Sequence, residues 1–393
     1  MTSITVRRLA WLIGSALLTT SCTTTAGGTT SSSAVAGASG SVAGASSGAT
    51  QSPGSSTGGA NAGQSASGLV VFMLPNTTTA RFTEHDGPEF VKAMKELAPN
   101  VTVQVVNANN SQQTQVQQAE NAISQGAKAL VVVAADPATA GGLMAKAKAA
   151  SVPVIDYEHG VSNDAITYHV QNSPEKVGEA NGRTFADAIA KMSGTVRVQR
   201  LYGNKGDDYT TNEKKGQDKF VQPLIGKGKI KVVCEDYVAN WQPSVAQQLT
   251  EQCLTRTSNG MTAILAMNDG TAIGAVAALG GQSLSGKIPV YGGQDAGLEA
   301  LQYMLRGWIQ DSVYKPFYAE AKAAAQLTIA AMTKTEPPSG LLNATFSDGK
   351  PMAYLDVVDL TPANLSKVVE DKLYTKEQLC AASVKDVTGF CTK

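Results

Sequence analysis

Polar and aromatic side chains recur just beyond a series of short apolar runs. Arg81 and Phe82 follow residues 69–74, Asp136 follows 129–134, and Glu158 and His159 follow 152–157. Asp207 and Asp208 come after 196–202, Trp241 after 230–233, Asn268-Asp269 after 262–267, Gln294-Asp295 after 288–291, and Lys315 after 310–314. This set of carboxylates, amides, cations and aromatics suits a ligand dense in hydroxyl groups. A carboxylate accepts from two vicinal hydroxyls, whereas Arg, Lys and Asn supply directional donors. An aromatic face packs on the apolar C–H side of a ring and leaves the ring's edge to polar partners. Taken singly, Asp207-Asp208 reads as a turn, Asn268-Asp269 as a helix cap and Trp241 as a packing residue. Their joint occurrence at the ends of runs in both halves of the chain points to one shared site.

The runs that must position these residues are short, apolar and rich in β-branched side chains, with helical periodicity between them. Continuous apolar strands indicate parallel sheets covered on both faces. Residues 101–106, 166–170 and 354–360 complete the strand set, and helices are predicted over 112–125, 137–150, 174–192, 244–254 and 316–332. Pro137, Pro174 and Pro316 sit at three of the expected helix starts. Repeated strand–helix–strand units give an α/β fold of two similar, doubly wound, Rossmann-like lobes, with ligands bound beyond the carboxyl ends of the strands. Three segments read as crossings between lobes, at 166–171, 310–314 and 349–354. They predict one lobe of residues 68–171 plus 313–349 and another of 172–312 plus 350–393.

Composition narrows the function classes. The 393 residues carry 32 basic and 32 acidic side chains, a net charge of zero with only 16% charged residues. Nucleic acid is thereby excluded as the main partner, because phosphate binding needs clustered cations. Gly281-Gln-Ser-Leu-Ser-Gly286-Lys287 matches most of a P-loop but places Ile288 where Mg²⁺ needs a hydroxyl, and a strand follows where a helix is required. Neither a Gly-x-Ser-x-Gly elbow nor a His-Glu-x-x-His string occurs. No enzymatic activity and no cofactor are expected. The one enzyme reading with named residues, a sugar-processing protein using Asp295 and Lys315, has no ordered nucleophile and base behind it.

Ahead of the lobes lies a leader. Arg7 and Arg8 precede a ten-residue apolar run at 9–18, too short to span a bilayer, and small residues then lead to Cys22. Residues 1–21 read as a signal peptide of the bacterial lipoprotein type with Cys22 as the lipidated residue, although Leu18 lies four positions before it instead of three. Of the 46 residues from 23 to 68, 40 are Ser, Thr, Gly or Ala and none is charged, so 22–67 reads as a flexible tether. The protein is expected to be exported and held at the outer face of the cytoplasmic membrane. There the remaining cysteines, Cys234, Cys253, Cys380 and Cys391, favour disulfides. Three pairings are possible, and short separation favours Cys234–Cys253 with Cys380–Cys391. A metal site is not expected: no pair has Cys-x-x-Cys spacing, and the three histidines stand apart.

From residue 152 to 362 the chain resembles the type I periplasmic sugar-binding proteins, most like the D-xylose-binding subgroup of ABC importers. The resemblance rests on Glu175-Lys-Val-Gly-Glu179, Gly228-Lys-Ile-Lys-Val-Val233, Trp241-Gln-Pro243, Asn268-Asp269, Ser285-Gly-Lys287, Gly293-Gln-Asp-Ala296 and Val313-Tyr-Lys-Pro316, in collinear order. It implies two lobes closing on a sugar or polyol about a three-segment hinge, a permease and its ATPase as partners, and a monomer. The ligand contacts it implies are Arg81, Phe82, Glu158, His159, Asp208 (or Tyr209), Trp241, Asn268, Asp295 and Lys315. Phe82 stands where the subgroup has Trp, Glu158-His159 where it has Asp-Arg, and Val245 where an Asn is common. A receptor presenting the same ligand to a sensor kinase would use the same scaffold.

Overall fold

The computed structural model of the protein describes residues 58–392. The leader, Cys22 and the first part of the tether lie outside the described residues. The last part does not behave as a tether: helix α1 (Gly58–Ser65) leads directly into the first strand. Ala62 and Ala66 are buried in the core of the first lobe, and Asn100 Nδ2 donates to the carbonyl of Gln64 at 3.2 Å. Small residues that read as linker here allow close approach, since a methyl on Gly63 would lie 2.1 Å from the Leu97 carbonyl oxygen.

The first lobe is built on β1 (Gly68–Leu74), β2 (Val101–Asn107), β3 (Ala129–Val132), β4 (Val154–Tyr157) and β5 (Ile166–Asn172). In β1, β3 and β4 nearly every residue is buried, as continuous apolar runs require in a sheet covered on both faces. The helices α2 (Gly87–Leu97), α3 (Gln112–Ser124) and α4 (Gly141–Ala149) supply that cover. Pro137 falls in a turn before α4, not at its first residue. The helix α5 (Pro174–Lys191) crosses to the second lobe with Pro174 at its start and the Ser173 hydroxyl accepting from Lys176 N.

The second lobe carries β6 (Val196–Tyr202), α6 (Asp208–Gly226), β7 (Ile230–Tyr237), α7 (Pro243–Thr257), β8 (Ala263–Leu265), α8 (Asp269–Gly281) and β9 (Val290–Tyr291). Its sheet order is β7-β6-β8-β9, all parallel. A smaller sheet follows from β10 (Gly293–Gln294), β11 (Ser312–Tyr314) and a late strand, with α9 (Leu298–Leu305) between β10 and β11. The chain then returns through α10 (Phe317–Thr333), whose alanine face packs against α2 and the first sheet.

The last crossing differs from the expectation. Residues 354–360 are not one strand but two, in different lobes. After β12 (Ala344–Thr345), β13 (Pro351–Leu355) pairs in parallel with β5, giving the first sheet the order β12-β13-β5-β4-β3-β1-β2. Only β14 (Val358–Leu360) joins the second lobe, antiparallel to β11. The division at 349–350 therefore moves to Asp356-Val357, and the division at 312–313 moves past Tyr314. An apolar run cannot reveal that its two ends hydrogen-bond to different sheets.

Both expected disulfides form. Cys234–Cys253 ties β7 to α7, and Cys380–Cys391 closes the C-terminal segment. Among the described residues no helix is long and apolar enough to cross a membrane, and no cluster of His, Cys, Asp and Glu is arranged to hold a metal ion.

Candidate functional site

A narrow cleft lies between the lobes at the carboxyl ends of the strands. Eight of the nine residues named from the sequence line it: Arg81, Phe82, Glu158 and His159 from the first lobe, Trp241, Asn268 and Asp295 from the second, and Lys315 from the crossing between them.

Arg81 is the hub. It ends the loop after β1, where the Asn76 side chain accepts from Thr79 N at 2.9 Å. Its guanidinium is 2% exposed and almost wholly committed. Nε and Nη2 fork onto Asp86 at 2.7 and 2.8 Å, and Nη2 also donates to Glu320 at 3.0 Å. The rings of Phe82 and Phe317 lie 5.5 and 4.8 Å from its central carbon. Nη1 reaches Glu158 Oε1 at 2.7 Å and stands 3.7 Å from Asp295 Oδ1 of the other lobe. Lys315 Nζ donates to the same Glu158 oxygen at 2.5 Å and lies 3.2 Å from Asp295 Oδ1. Two cations and two carboxylates thus face each other across the cleft.

Asp86 and Glu320 bring the buried carboxylates around these cations to four. Two of them are shifted in opposite directions. Burial, and after it the charge of Glu158, pushes the Glu320 carboxyl well above the usual carboxylate range. Glu158 goes the other way: burial opposes its charge, but Arg81 and Lys315 overcome that and hold it below its ordinary value. Burial also opposes the charge of Arg81, but Asp86, Glu158 and Glu320 outweigh it and hold the guanidinium above its ordinary value.

The turns that carry these groups are strained. Glu158, Trp241 and Asp295 have φ of +67°, +55° and +92°, in the region that disfavours a side chain. At Asp295 the strain is held by Asp269, which accepts from Gly297 N at 2.6 Å and from the Ser312 hydroxyl at 2.7 Å. Asn268 serves both readings made of it. Its Oδ1 caps α8 by accepting from Thr271 N at 2.8 Å, which leaves its amide nitrogen as the group free to donate. His159 Nδ1 lies 2.6 Å from the Ala134 carbonyl, an acceptor only, so Nδ1 carries the proton.

Asp208 is the residue the structure removes from the set. It is exposed at the first position of α6, and its neighbours Asp207 and Tyr209 line the cleft instead. Asp207 Oδ1 accepts from Tyr209 N at 2.9 Å, and this cap turns the chain so that Asp208 points away from the cleft. Asn76, Thr79 and Gln294 also line the cleft. Gln294 stood beside Asp295 at the end of its run, and the strand-end rule could also have supplied Asn76, two residues past residue 74. Tyr209 OH donates to Gln294 Oε1 at 2.8 Å, and Gln294 Nε2 donates to buried Glu213 at 3.0 Å. Gly203 gives no signal in the sequence, yet a methyl there would lie 2.0 Å from the Trp241 ring. Among the described residues no serine or cysteine lines the cleft.

Two lobes joined by three crossings, with a polar and aromatic cleft between them, define a binding protein for a small ligand. The chain belongs to the periplasmic binding protein family, whose domain profile matches residues 70–336. It is similar to the D-xylose-binding periplasmic protein of Escherichia coli K12, 30% identical over 75% of this chain and 88% of the relative. A protein of the same description from Haemophilus influenzae is 31% identical over 75% and 87%. Among solved structures it is similar to an ABC transporter solute-binding protein from Clostridium phytofermentans with bound β-D-glucose, at a TM-score of 0.72, 25% identity, and coverage of 79% and 100%. The relatives are named as binding proteins and the solved neighbour as an ABC transporter solute-binding protein, and the chain is a binding protein, not an enzyme.

Proposed function

We propose that the protein is the exported, ligand-capturing subunit of an ABC importer for a monosaccharide, a xylose-like pentose or a related sugar or polyol. The observation that carries this reading is the opposition of Arg81 and Glu158 to Asp295 and Lys315 across the cleft, with Trp241 at its side. Asp295 accepts hydroxyls, Asn268 and Lys315 donate, and Trp241 and Phe82 cover the ring's C–H surfaces. Its similarity to proteins named for D-xylose and solved with glucose supports the sugar class. The ligand is released to a permease and its ATPase, and the monomeric head is held to the membrane through Cys22.

A thermal-shift screen of pentoses, hexoses and polyols, followed by calorimetric titration of the best hit, tests the ligand class. A ligand that binds only the folded state raises its melting temperature. No shift with any member of the three classes overturns it. Fractionation of a Cys22→Ser variant tests the anchor: release to the soluble fraction is expected, and unchanged partition overturns it. Sensing in place of uptake predicts that deleting the permease leaves the cell's response to the ligand intact.

A further inference from the structure

A chain of polar side chains runs from the cleft wall into the second lobe. Tyr209 and Gln294 line the cleft, and the Tyr209 hydroxyl donates to Gln294 Oε1 at 2.8 Å. Gln294 Nε2 donates in turn, at 3.0 Å, to Oε2 of Glu213, a fully buried residue of α6. Beyond Glu213 stands Asn181 of α5. Its amide nitrogen lies 3.1 Å from the Gly293 carbonyl oxygen and 3.0 Å from Asp311 Oδ2. A carbonyl only accepts, so the group facing Gly293 is the nitrogen. The Asn181 oxygen is thereby turned to Glu213 Oε1, 3.5 Å away. An amide oxygen also only accepts, and a proton on Oε1 is what lets these two atoms face each other. Burial acts in the same sense, pushing this carboxyl well above the usual carboxylate range. Every bond in the chain then has one direction. Its far end is anchored on backbone, since Asp311 Oδ1 accepts from Gly292 N at 3.0 Å. Glu213 itself is clamped: a methyl on Gly178 of α5 would lie 1.9 Å from its carbonyl oxygen. At the near end Lys315 Nζ lies 4.9 Å from the centre of the Tyr209 ring, so the ring also supports a cation of the cleft.

We propose that Glu213 is a positioning residue for ligand capture: as a neutral acid it accepts from Gln294 and donates to Asn181, and so holds Gln294 and Tyr209 in the orientation in which they meet the sugar. The inference rests on the sugar-binding reading and deepens it. Glu213 does not line the cleft and acts only through Gln294 and Tyr209. A side chain serves here only if it offers one donor and one acceptor. Gln does, with its amide nitrogen toward Asn181 and its oxygen toward Gln294. Met, of similar length, offers neither, and Asp keeps the acid but draws it back from Gln294 by one methylene.

The test is calorimetric titration of the full chain with D-xylose, D-glucose and xylitol, and with the best hit of the thermal-shift screen. Tyr209→Phe removes only the hydroxyl at the cleft end of the chain. It and Glu213→Met are each expected to weaken binding about three- to tenfold, as for the loss of one hydrogen bond, and Glu213→Gln to stay within about twofold. Tyr209→Phe combined with Glu213→Met should lose little more than either alone, because both act through one set of contacts. If Glu213→Met is too unstable to titrate, Glu213→Asp takes its place in the comparison. Three outcomes overturn the proposal and leave the sugar-binding reading standing. Unchanged affinity in Tyr209→Phe means that the chain does not reach the ligand. A loss in Glu213→Gln equal to that in Glu213→Met means that the position acts by its charge. Losses that add in the double variant mean that Glu213 supports the fold independently of Tyr209. If no pentose, hexose or polyol binds the unaltered protein, the proposal and the sugar-binding reading fall together.

Discussion

Trp241 rests against the backbone of Gly203 so closely that a methyl group there would meet its ring at 2.0 Å. The indole comes from the turn after β7, and the glycine lies just past β6, the neighbouring strand. The missing side chain is what lets the ring lie along the cleft wall. Trp241 itself pays for that position with a left-handed φ of +55°. Gly203→Ala should therefore move the ring without touching any ligand contact directly. The expected result is a loss of sugar affinity comparable to that of Trp241→Ala, about tenfold, with a changed tryptophan emission and little change in the unliganded melting temperature. Unaltered affinity in Gly203→Ala would show that Trp241 is not a ligand platform.

Asp295 should matter more than Trp241. Its removal leaves the ligand's hydroxyls without an acceptor in a desolvated cleft, so Asp295→Ala is expected to cost roughly 2–4 kcal/mol, about 30- to 1000-fold in Kd. Lys315 keeps Glu158 as a partner at 2.5 Å, and the unliganded fold should survive. Titration with the best ligand of the screen measures it, and unchanged affinity would place the binding site elsewhere.

A paired prediction separates Glu320 from the ligand contacts. It touches Arg81 at 3.0 Å from beneath and does not line the cleft, so it acts by positioning the guanidinium. Because burial pushes its carboxyl well above the usual carboxylate range, Glu320→Gln should preserve affinity within a few-fold, whereas Glu320→Ala should weaken binding without changing which sugars are preferred. Equal losses in both variants would mean that charge, not shape, is what Arg81 needs from this position.

The fold was legible in the sequence because its signal is local. Unbroken apolar runs separated by helical periodicity need no tertiary information to read as covered parallel strands, and the residues beyond them fall at one end of the sheets by construction. The residues that line the cleft follow from the same strand-end rule. At 207–209 the sequence left Asp208 and Tyr209 as alternatives, because a helix start changes direction at every residue and only the cap geometry decides which side chain faces the cleft. Residues 354–360 looked like one strand because sheet membership depends on partners far away in the chain. Glu320 and Asp86 carry no mark as supports for Arg81: they sit on helical segments, and what they touch is fixed only by packing. The 58–65 segment misled for the opposite reason, since glycine and alanine signal flexibility alone and close packing in company.

The last prediction concerns pH and takes its sign from the buried carboxyls. Glu213, Asp269 and Glu320 are pushed well above the usual carboxylate range, in each case mainly by burial. Such groups hold protons in the folded state that the unfolded chain has already lost above about pH 4.5. The folded state then binds more protons than the unfolded, so stability falls as pH rises from there through the raised values. Glu158 contributes in the opposite sense, but its folded value is depressed, so its contribution is complete above about pH 4.5 and is lost only on further acidification. The unliganded protein should therefore melt at a higher temperature at pH 5 than at pH 8. Glu213 is the group with which to test the cause, since it is buried, outside the cleft, and takes a hydrogen bond from Gln294 at 3.0 Å. Glu213→Gln keeps the shape and cannot ionise, so it should narrow the difference between the two pH values by raising the melting temperature at pH 8 more than at pH 5. Differential scanning calorimetry at both pH values decides it: a slope of the opposite sign, or one that Glu213→Gln leaves untouched, would mean that these carboxyls are not held protonated in the folded state.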